Sequence, residues 1–275
     1  MKKSQAVFEK FFLLNASGVK CTTKEDLVEV LQSSADAAIT KTMTLEPRKG
    51  NPEPRLFYTK DFSINSMGLP NKGVDYYCKN LPELKAFNKP VFASIAGFTE
   101  QEYYEIFRKV GESGFDAVEV NLSCPNVEAS SVFAYHLDLT LRIAERLRKM
   151  TNFLLGFKLP PYPERWQIKK LAEGFLKIGI DFVTLSNSWP LGCVVDFEKE
   201  RLVIKPNLGI GGLGGKFFKY IVLGQVRLFY QVFKGKVKII AVGGVASGRD
   251  VYEYALAGAN AAGIGSALLY EGVGI

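Results

Sequence analysis

Short apolar runs of strand length recur along the chain, and each of them ends in small or polar residues. They alternate with longer stretches whose apolar residues are spaced three and four apart, with Lys, Glu and Arg on the opposite face, which is typical of amphipathic helices. The runs predict strands at residues 11–15, 37–40, 91–95, 117–121, 154–158, 182–186, 238–242 and 261–265. The stretches predict helices at residues 100–113, 139–151, 166–178, 220–233 and 248–257. This alternation indicates repeated βα units.

Eight such strands fit one closed parallel barrel, although periodicity alone does not separate a barrel from a doubly wound open sheet. The positions of the unusual residues favour the barrel. They fall at or just past predicted strand ends: Lys41, Asn121, Lys158, Asn187, Gly243 and Gly244. An active site that converges at one end of a barrel explains that arrangement. We therefore predict an α/β fold, a (β/α)8 TIM barrel, with residues 1–275 in a single domain.

Two long segments interrupt the repeat, residues 45–89 and 188–219. Long segments of this kind inside compact domains are usually lids or small extra sheets, so we expect both to cover the site. The second contains the glycine-rich run 209–215, which we interpret as a loop. Because this run does not come straight after a strand, a dinucleotide-binding fingerprint is the wrong interpretation.

Charge and cysteine content limit the classes of partner. Lys and Arg number 35 against 28 Asp and Glu, a formal charge of +7, but the basic residues are spread along the chain, which indicates a mild preference for anions and no nucleic-acid binding. The four cysteines form no Cys-x-x-Cys pair and share the chain with the single His136, interpreted as structural, so no metal site is expected. Without a membrane-spanning apolar run or a signal peptide, we expect a cytoplasmic protein that does not bind membranes.

The segment 119–127, EVNLSCPNV, runs from a strand into a polar turn that carries Cys124. A buried thiol beside a turn is the simplest interpretation. However, Pro125 makes the turn rigid, and Asn121 and Asn126 supply donors and acceptors suited to a planar, amide-rich substrate. Since His136 lies in a different segment, proton abstraction suits Cys124 better than nucleophilic attack.

Two glycine clusters follow the last two predicted strands, at residues 242–248 and 263–267. Phosphate binds at this place in many barrels, where glycine turns let backbone N–H groups approach an anion and a helix beginning near Ser247 adds its dipole. The pair of clusters predicts FMN. Lys41 and Lys158, at the ends of two other strands, either extend to solvent or face the cofactor, and their location favours the cofactor.

The motif NLSCPN resembles the catalytic loop of class 1 dihydroorotate dehydrogenases. The segments TKT at 40–42, LEPR at 45–48, GNPEPR at 50–55 and INSMGLPN at 64–71 resemble the fumarate-linked class 1A branch. The resemblance runs from about Asn15 to Gly272. It implies FMN-dependent oxidation of (S)-dihydroorotate to orotate in pyrimidine (UMP) biosynthesis, fumarate as the electron acceptor, and a homodimer.

The resemblance also implies residue roles, with Cys124 as the catalytic base and hydride transfer to flavin N5. It implies that the substrate is bound by Lys41, Asn65, Ser66, Met67, Gly68, Leu69, Asn121, Asn126, Asn187 and Ser188. It implies that FMN is bound by Ser17, Lys41, Thr42, Asn121, Lys158, Ser186, Gly215, Gly243, Gly244, Gly265 and Ser266.

The chain departs from the family pattern in two regions. It stops soon after Gly272, where the family continues with an amphipathic helix, so the eighth helix is expected to be missing. The loop after Cys124 reads VEASSVF instead of a sequence with Gly, Lys and Pro. Two alternatives therefore stay open: the same fold and flavin acting on another dihydropyrimidine or acceptor, or a degenerate barrel that binds FMN without catalysis.

Overall fold

The structure is a computed structural model that describes residues 7–123 and 133–275. In these ranges the strands are β1 (Phe12–Asn15), β2 (Ala38–Ile39), β3 (Leu56–Tyr58), β4 (Phe62–Asn65), β5 (Val91–Ile95), β6 (Ala117–Asn121), β7 (Leu154–Leu159), β8 (Phe182–Leu185), β9 (Trp189–Cys193), β10 (Val195–Asp196), β11 (Arg201–Leu202), β12 (Ile210–Gly215), β13 (Lys238–Val242) and β14 (Ala261–Ile264). The α-helices are α1 (Lys24–Gln32), α2 (Val74–Lys85), α3 (Glu100–Ser113), α4 (Leu137–Lys149), α5 (Arg165–Ile178), α6 (Phe218–Phe233) and α7 (Gly248–Ala257).

Eight parallel strands form one sheet in the order β1-β14-β13-β8-β7-β6-β5-β2. The backbone N–H groups of Asp36 and Ala37 both donate to the carbonyl oxygen of Leu13, which joins the two ends of the sheet next to β1 and β2. The result is a TIM barrel with the helices outside it. The predicted fold is confirmed, and the predicted strands lie within two residues of the observed ones.

Aromatic rings fill the amino-terminal end of the barrel. The rings of Phe12, Phe92 and Phe182 pack in sequence, with centroids 6.1 and 5.8 Å apart, and Phe8 packs against both Phe12 and Phe182. Since alternate residues of each strand point inward, the next inward layer is polar and includes Ser94 on β5. The barrel is therefore closed and apolar at one end, which leaves the carboxyl end for ligands.

The two predicted inserts pair into a second sheet, with the strand order β3-β4-β12-β9. Asn65 on β4 pairs with Gly212 on β12, although the two are 147 residues apart in the chain. The interpretation of residues 209–215 as a loop was wrong, because residues 210–215 are strand β12. Glycine is required there, since a Cβ atom on Gly211 would lie 2.4 Å from the carbonyl oxygen of Asn65.

The first predicted insert is shorter than expected, because residues 74–85 form α2, which packs among the outer helices beside α1 and α3. After β14 the described residues form two short 3-10 helices, Ser266–Leu269 and Gly272–Gly274. No helix within the described ranges is long and apolar enough to cross a membrane.

Candidate active site

A cavity of about 380 Å³ lies at the carboxyl end of the barrel, under the second sheet. Most of the residues predicted for substrate and cofactor line it, although they come from widely separated segments. The predicted residues in its lining are Ser17, Lys41, Thr42, Asn65, Met67, Gly68, Leu69, Asn121, Lys158, Ser186, Asn187, Ser188, Gly215, Gly243, Gly244, Gly265 and Ser266. Both the barrel loops and strands β4 and β12 of the second sheet therefore contribute to one site.

The charged groups in the described lining are four lysines, Lys20, Lys41, Lys158 and Lys216. Lys41 and Lys158 are buried, at 6% and 5% exposure. The ammonium group of Lys41 donates to the carbonyl oxygen of Gly18 at 2.6 Å, and that of Lys158 donates to the carbonyl oxygen of Ser17 at 3.3 Å. Positive charge held in a partly buried cavity favours an anionic ligand.

Two asparagines in the lining are connected to each other through Ser123. The side-chain nitrogen of Asn187 donates to the hydroxyl oxygen of Ser123 at 3.1 Å, and this hydroxyl donates to the side-chain oxygen of Asn121 at 3.0 Å. The backbone N–H of Ser123 also donates to that oxygen, at 3.1 Å. The Asn121 amide is thereby fixed in one orientation, because a flipped amide would set its own N–H against that donor.

The other end of the Asn121 amide leads into the barrel interior. Its nitrogen donates to the hydroxyl of Thr42 at 3.1 Å, which lies 2.9 Å from the hydroxyl of Ser94. Ser94 and Thr184 then donate to the two carboxylate oxygens of the buried Glu119, at 2.9 and 2.6 Å. Each polar group of this chain has a partner, so the asparagine sits on a rigid support.

The loops after β13 and β14 bring their glycines to one side of the cavity. Gly244 has φ +65°, and a Cβ atom there would lie 2.8 Å from both the carbonyl oxygen of Gly215 and the Cβ of Lys219. Only glycine fits this turn, and its backbone is accessible to a ligand. The predicted helix begins after the N-cap Ser247, but Asp250 already accepts from the N–H of Ala246 and from the Ser247 hydroxyl.

Ion pairs between α6 and α7 lie next to this loop. Lys219 on α6 pairs with Asp250 and Glu253 on α7, at 2.6 and 2.7 Å. Burial raises the pKa of Asp250, but the hydrogen bonds from Lys219, Ser247 and Ala246 outweigh it and hold the pKa below its ordinary value. Among the described residues, no group of three or more His, Cys, Asp or Glu side chains could hold a metal ion.

Sequence comparison identifies the family of the chain that carries this site. The family model for dihydroorotate dehydrogenase matches residues 5–275. The chain belongs to the dihydroorotate dehydrogenase family. The resemblance inferred from the motifs is therefore confirmed.

Individual relatives agree with the family model. The chain is 43% identical to dihydroorotate dehydrogenase A (fumarate) of Lactococcus lactis subsp. lactis strain IL1403, over 95% of this chain and 86% of that protein. It is 41% identical to dihydroorotate dehydrogenase (fumarate) of Saccharomyces cerevisiae, over 95% of this chain and 85% of that protein. The solved structure of DHODH from Eimeria tenella in complex with ferulenol shares the fold, with a TM-score of 0.77 at 22% identity over 95% of this chain and 77% of that one.

Three residues that the dihydroorotate dehydrogenase resemblance predicted do not appear in the lining. Ser66 is buried behind it, where its hydroxyl accepts from the side-chain nitrogens of Asn51 and Asn207, at 3.3 and 2.8 Å. Cys124 and Asn126 lie outside the described residues. Cys124 directly follows Ser123, the residue that connects Asn121 with Asn187.

Sequence reasoning also missed residues that this member of the dihydroorotate dehydrogenase family brings to the cavity. Ser63 lines it, and its hydroxyl lies 2.9 Å from that of Ser266. The signal was available, because Ser63 is two positions before Asn65 and alternate residues of a strand share a face. Lys20 and Tyr270 lie in loops and turns with no comparable pattern.

Proposed function

We propose that this protein oxidises (S)-dihydroorotate to orotate with bound FMN and fumarate as the electron acceptor, in pyrimidine (UMP) biosynthesis. The observation that carries the proposal is the single cavity lined by residues predicted for both ligands, in a chain that belongs to the dihydroorotate dehydrogenase family. The names of the Lactococcus and Saccharomyces relatives support the choice of fumarate.

The lysines and the glycine turns of the lining support FMN as the cofactor. The backbone around Gly243, Gly244, Gly265 and Ser266 would hold the phosphate, and the ammonium groups of Lys41 and Lys158 would face the ring system and ribityl chain. FMN, when bound, supplies the hydride acceptor for the reaction. The protein's own contribution is to orient the two ligands against each other and to keep positive charge beside them.

The substrate side of the cavity carries neutral amides. Orotate has alternating N–H and C=O groups, and the side chains of Asn65, Asn121 and Asn187 can match either kind. We assign Cys124 as the base that takes a proton from the carbon next to the ring carbonyl while hydride leaves the neighbouring carbon. An analogue that lacks one of these groups would leave a buried amide unpaired and bind more weakly.

Anaerobic mixing of FMN-loaded protein with dihydroorotate tests the proposal. Loss of the flavin absorbance is expected, followed by its return when fumarate is added. Cys124→Ser should retain FMN but slow the loss of absorbance by about 10²- to 10⁴-fold, because serine is a much weaker base at neutral pH. Protein that stays yellow with dihydroorotate would reject the proposed reaction, and bleaching by dihydrouracil alone would indicate another dihydropyrimidine.

The oligomer and the location belong to the same proposal. We propose a homodimer in the cytoplasm. Support for the dimer comes from exposed apolar side chains on the segment between β8 and β12, namely Leu191, Val195, Phe197, Leu202 and Leu208. A concentration of exposed apolar groups of this kind is typical of an interface with another protein.

A further inference from the structure

Tyr254 is a buried tyrosine on α7 that lies behind the glycine turn after β13. Its hydroxyl donates to the carbonyl oxygen of Gly243 at 2.6 Å and lies 3.5 Å from that of Lys219. Burial raises the pKa of Tyr254, and the nearby Asp250 and Glu253 raise it further, so the hydroxyl stays protonated and remains a donor at physiological pH.

Because Gly243 and Gly244 share a planar peptide bond, the hydrogen bond to the Gly243 carbonyl also sets the orientation of the Gly244 N–H. The peptide between Gly243 and Gly244 is trans, so the N–H of Gly244 points opposite to the C=O of Gly243. The C=O of Gly243 points to Tyr254 on α7, a residue that does not line the cavity. The N–H of Gly244 therefore points away from Tyr254, in a turn whose two glycines do line the cavity.

A glycine turn needs such a restraint more than other turns do. Gly243 and Gly244 adopt φ +151° and +65°, and a Gly-Gly peptide can rotate between several allowed conformations at little cost. In the described part of the chain no acceptor pairs with the Gly244 N–H. Close packing of Gly244 against Gly215 and Lys219 limits the turn, and the hydrogen bond from Tyr254 to the Gly243 carbonyl sets the orientation of the peptide plane within it.

We infer that Tyr254 is a positioning residue, which fixes the Gly243–Gly244 peptide plane so that the Gly244 N–H faces a ligand phosphate. The inference rests on the proposed FMN site and deepens it, because it assigns recognition of the phosphate group to a residue that does not contact the ligand. Tyr254 acts through the backbone, and its effect is confined to the phosphate end of the cavity.

Comparison of FMN with riboflavin isolates that effect, because riboflavin lacks the phosphate. The dissociation constants of both are measured by fluorescence quenching on flavin-free protein. Tyr254→Phe removes only the hydroxyl and keeps the buried ring. Tyr162→Phe is the matched control, since the buried Tyr162 also donates to a backbone carbonyl, that of Ala134 at 2.8 Å, but Ala134, unlike Gly243, does not line the cavity.

Tyr254→Phe should weaken FMN binding by roughly tenfold, the loss expected when one hydrogen bond to a charged acceptor is misaligned. Riboflavin affinity should change by less than about twofold, because the ring site is untouched. Tyr162→Phe should leave the ratio of the two affinities as in the parent. The phosphorus resonance of bound FMN should also shift in Tyr254→Phe and not in the control.

The outcomes distinguish a failure of the role inferred for Tyr254 from a failure of the proposed FMN site. A parent protein that binds FMN no more tightly than riboflavin would overturn the phosphate site itself, and the role of Tyr254 with it. If the parent prefers FMN but Tyr254→Phe keeps that preference, or weakens both ligands equally, the positioning role is wrong while the site stands.

Discussion

Lys158 extends from the end of β7 into the cavity with only 5% of its surface exposed. Its ammonium group lies 3.3 Å from the backbone carbonyl oxygen of Ser17, and removing such a group from water costs free energy unless it is well paired. A residue of this kind lowers the stability of the flavin-free protein. Binding of an anionic ligand pairs the charge and restores that stability. Residues at functional sites often conflict in this way with the stability of the fold.

Lys158→Met tests this reasoning. We expect FMN affinity to fall by at least about tenfold, since charge-assisted contacts contribute roughly 1.5–3 kcal/mol. The melting temperature of the flavin-free protein should stay the same or rise, because an apolar side chain of similar length replaces a buried charge. Both quantities can be measured on one preparation, by flavin titration and by thermal unfolding.

Lys169→Met provides the control, since Lys169 lies on the exposed face of α5, where its side chain is 71% exposed. Neither FMN affinity nor melting temperature should change appreciably there. A Lys158→Met protein that unfolds earlier than its parent without flavin, yet binds FMN normally, would mean that Lys158 supports the fold and not the cofactor.

Individual site residues could be predicted where the sequence joins an unusual residue to a strand end. Lys158 and Asn121 are such cases, because each lies at or next to the end of a mostly apolar strand that is buried throughout. Tyr254 could not be found in this way. Its role depends on the hydroxyl meeting the carbonyl of Gly243, and nothing in a buried helical tyrosine distinguishes that contact from ordinary core packing.

At the scale of elements, the strands of the barrel could be predicted from the sequence, whereas strand β12 of the second sheet could not. Strands β5 and β6 were predicted to the residue, since each is a short, mostly apolar run, interrupted only by Ser94 or Glu119, of strand length. Strand β12 was missed because four of its six residues are glycine, which has low strand propensity, and because its partner β4 is distant in the chain. Long-range pairing of this kind has no local signal.

Helices α6 and α7 are joined by the ion pairs of Lys219 with Asp250 and Glu253. Asp250→Asn should lower the free energy of unfolding by about 1–2 kcal/mol, because hydrogen bonds with charged partners are lost at a side chain that is 14% exposed. Urea unfolding of the parent and the variant at neutral pH measures this change in the free energy of unfolding. Asp138→Asn is the control, as Asp138 pairs with Lys170 at 2.7 Å but is 86% exposed, where ion pairs contribute little.

The pH dependence of that difference has a definite sign. The pKa of Asp250 is lower in the folded protein than in the unfolded chain, so its contribution is present above the ordinary carboxyl pKa of about 3.9. It is lost as the pH falls through the lower, folded value. The parent and Asp250→Asn should therefore differ fully at neutral pH and converge below about pH 4. A difference that grew on acidification would contradict the assignment.

At the scale of the whole molecule, the second sheet does two things at once. Its strands β4 and β12 contribute Asn65 and Gly215 to the cavity, and the segment between β9 and β12 carries Phe197 and Leu208 on the outside, at 89% and 86% exposure. If a second copy covers that outer surface, the dimer interface and the cover of the active site belong to one structural unit. Dissociation would then loosen the cover as well.

Phe197→Asp tests the dimer. A charge in the centre of an apolar interface is left without water or a partner, so we expect dissociation at micromolar concentration, seen by light scattering as a fall from about twice the chain mass of 30.5 kDa to that mass. Tyr252→Asp is the control, because Tyr252 is also an exposed aromatic residue, at 64%, but lies on α7. It should remain a dimer, and both variants should bind FMN, since neither residue lines the cavity. A parent that is monomeric with FMN bound would contradict the dimer proposal. Dissociation by Tyr252→Asp and not by Phe197→Asp would indicate that the interface is formed by the outer helices.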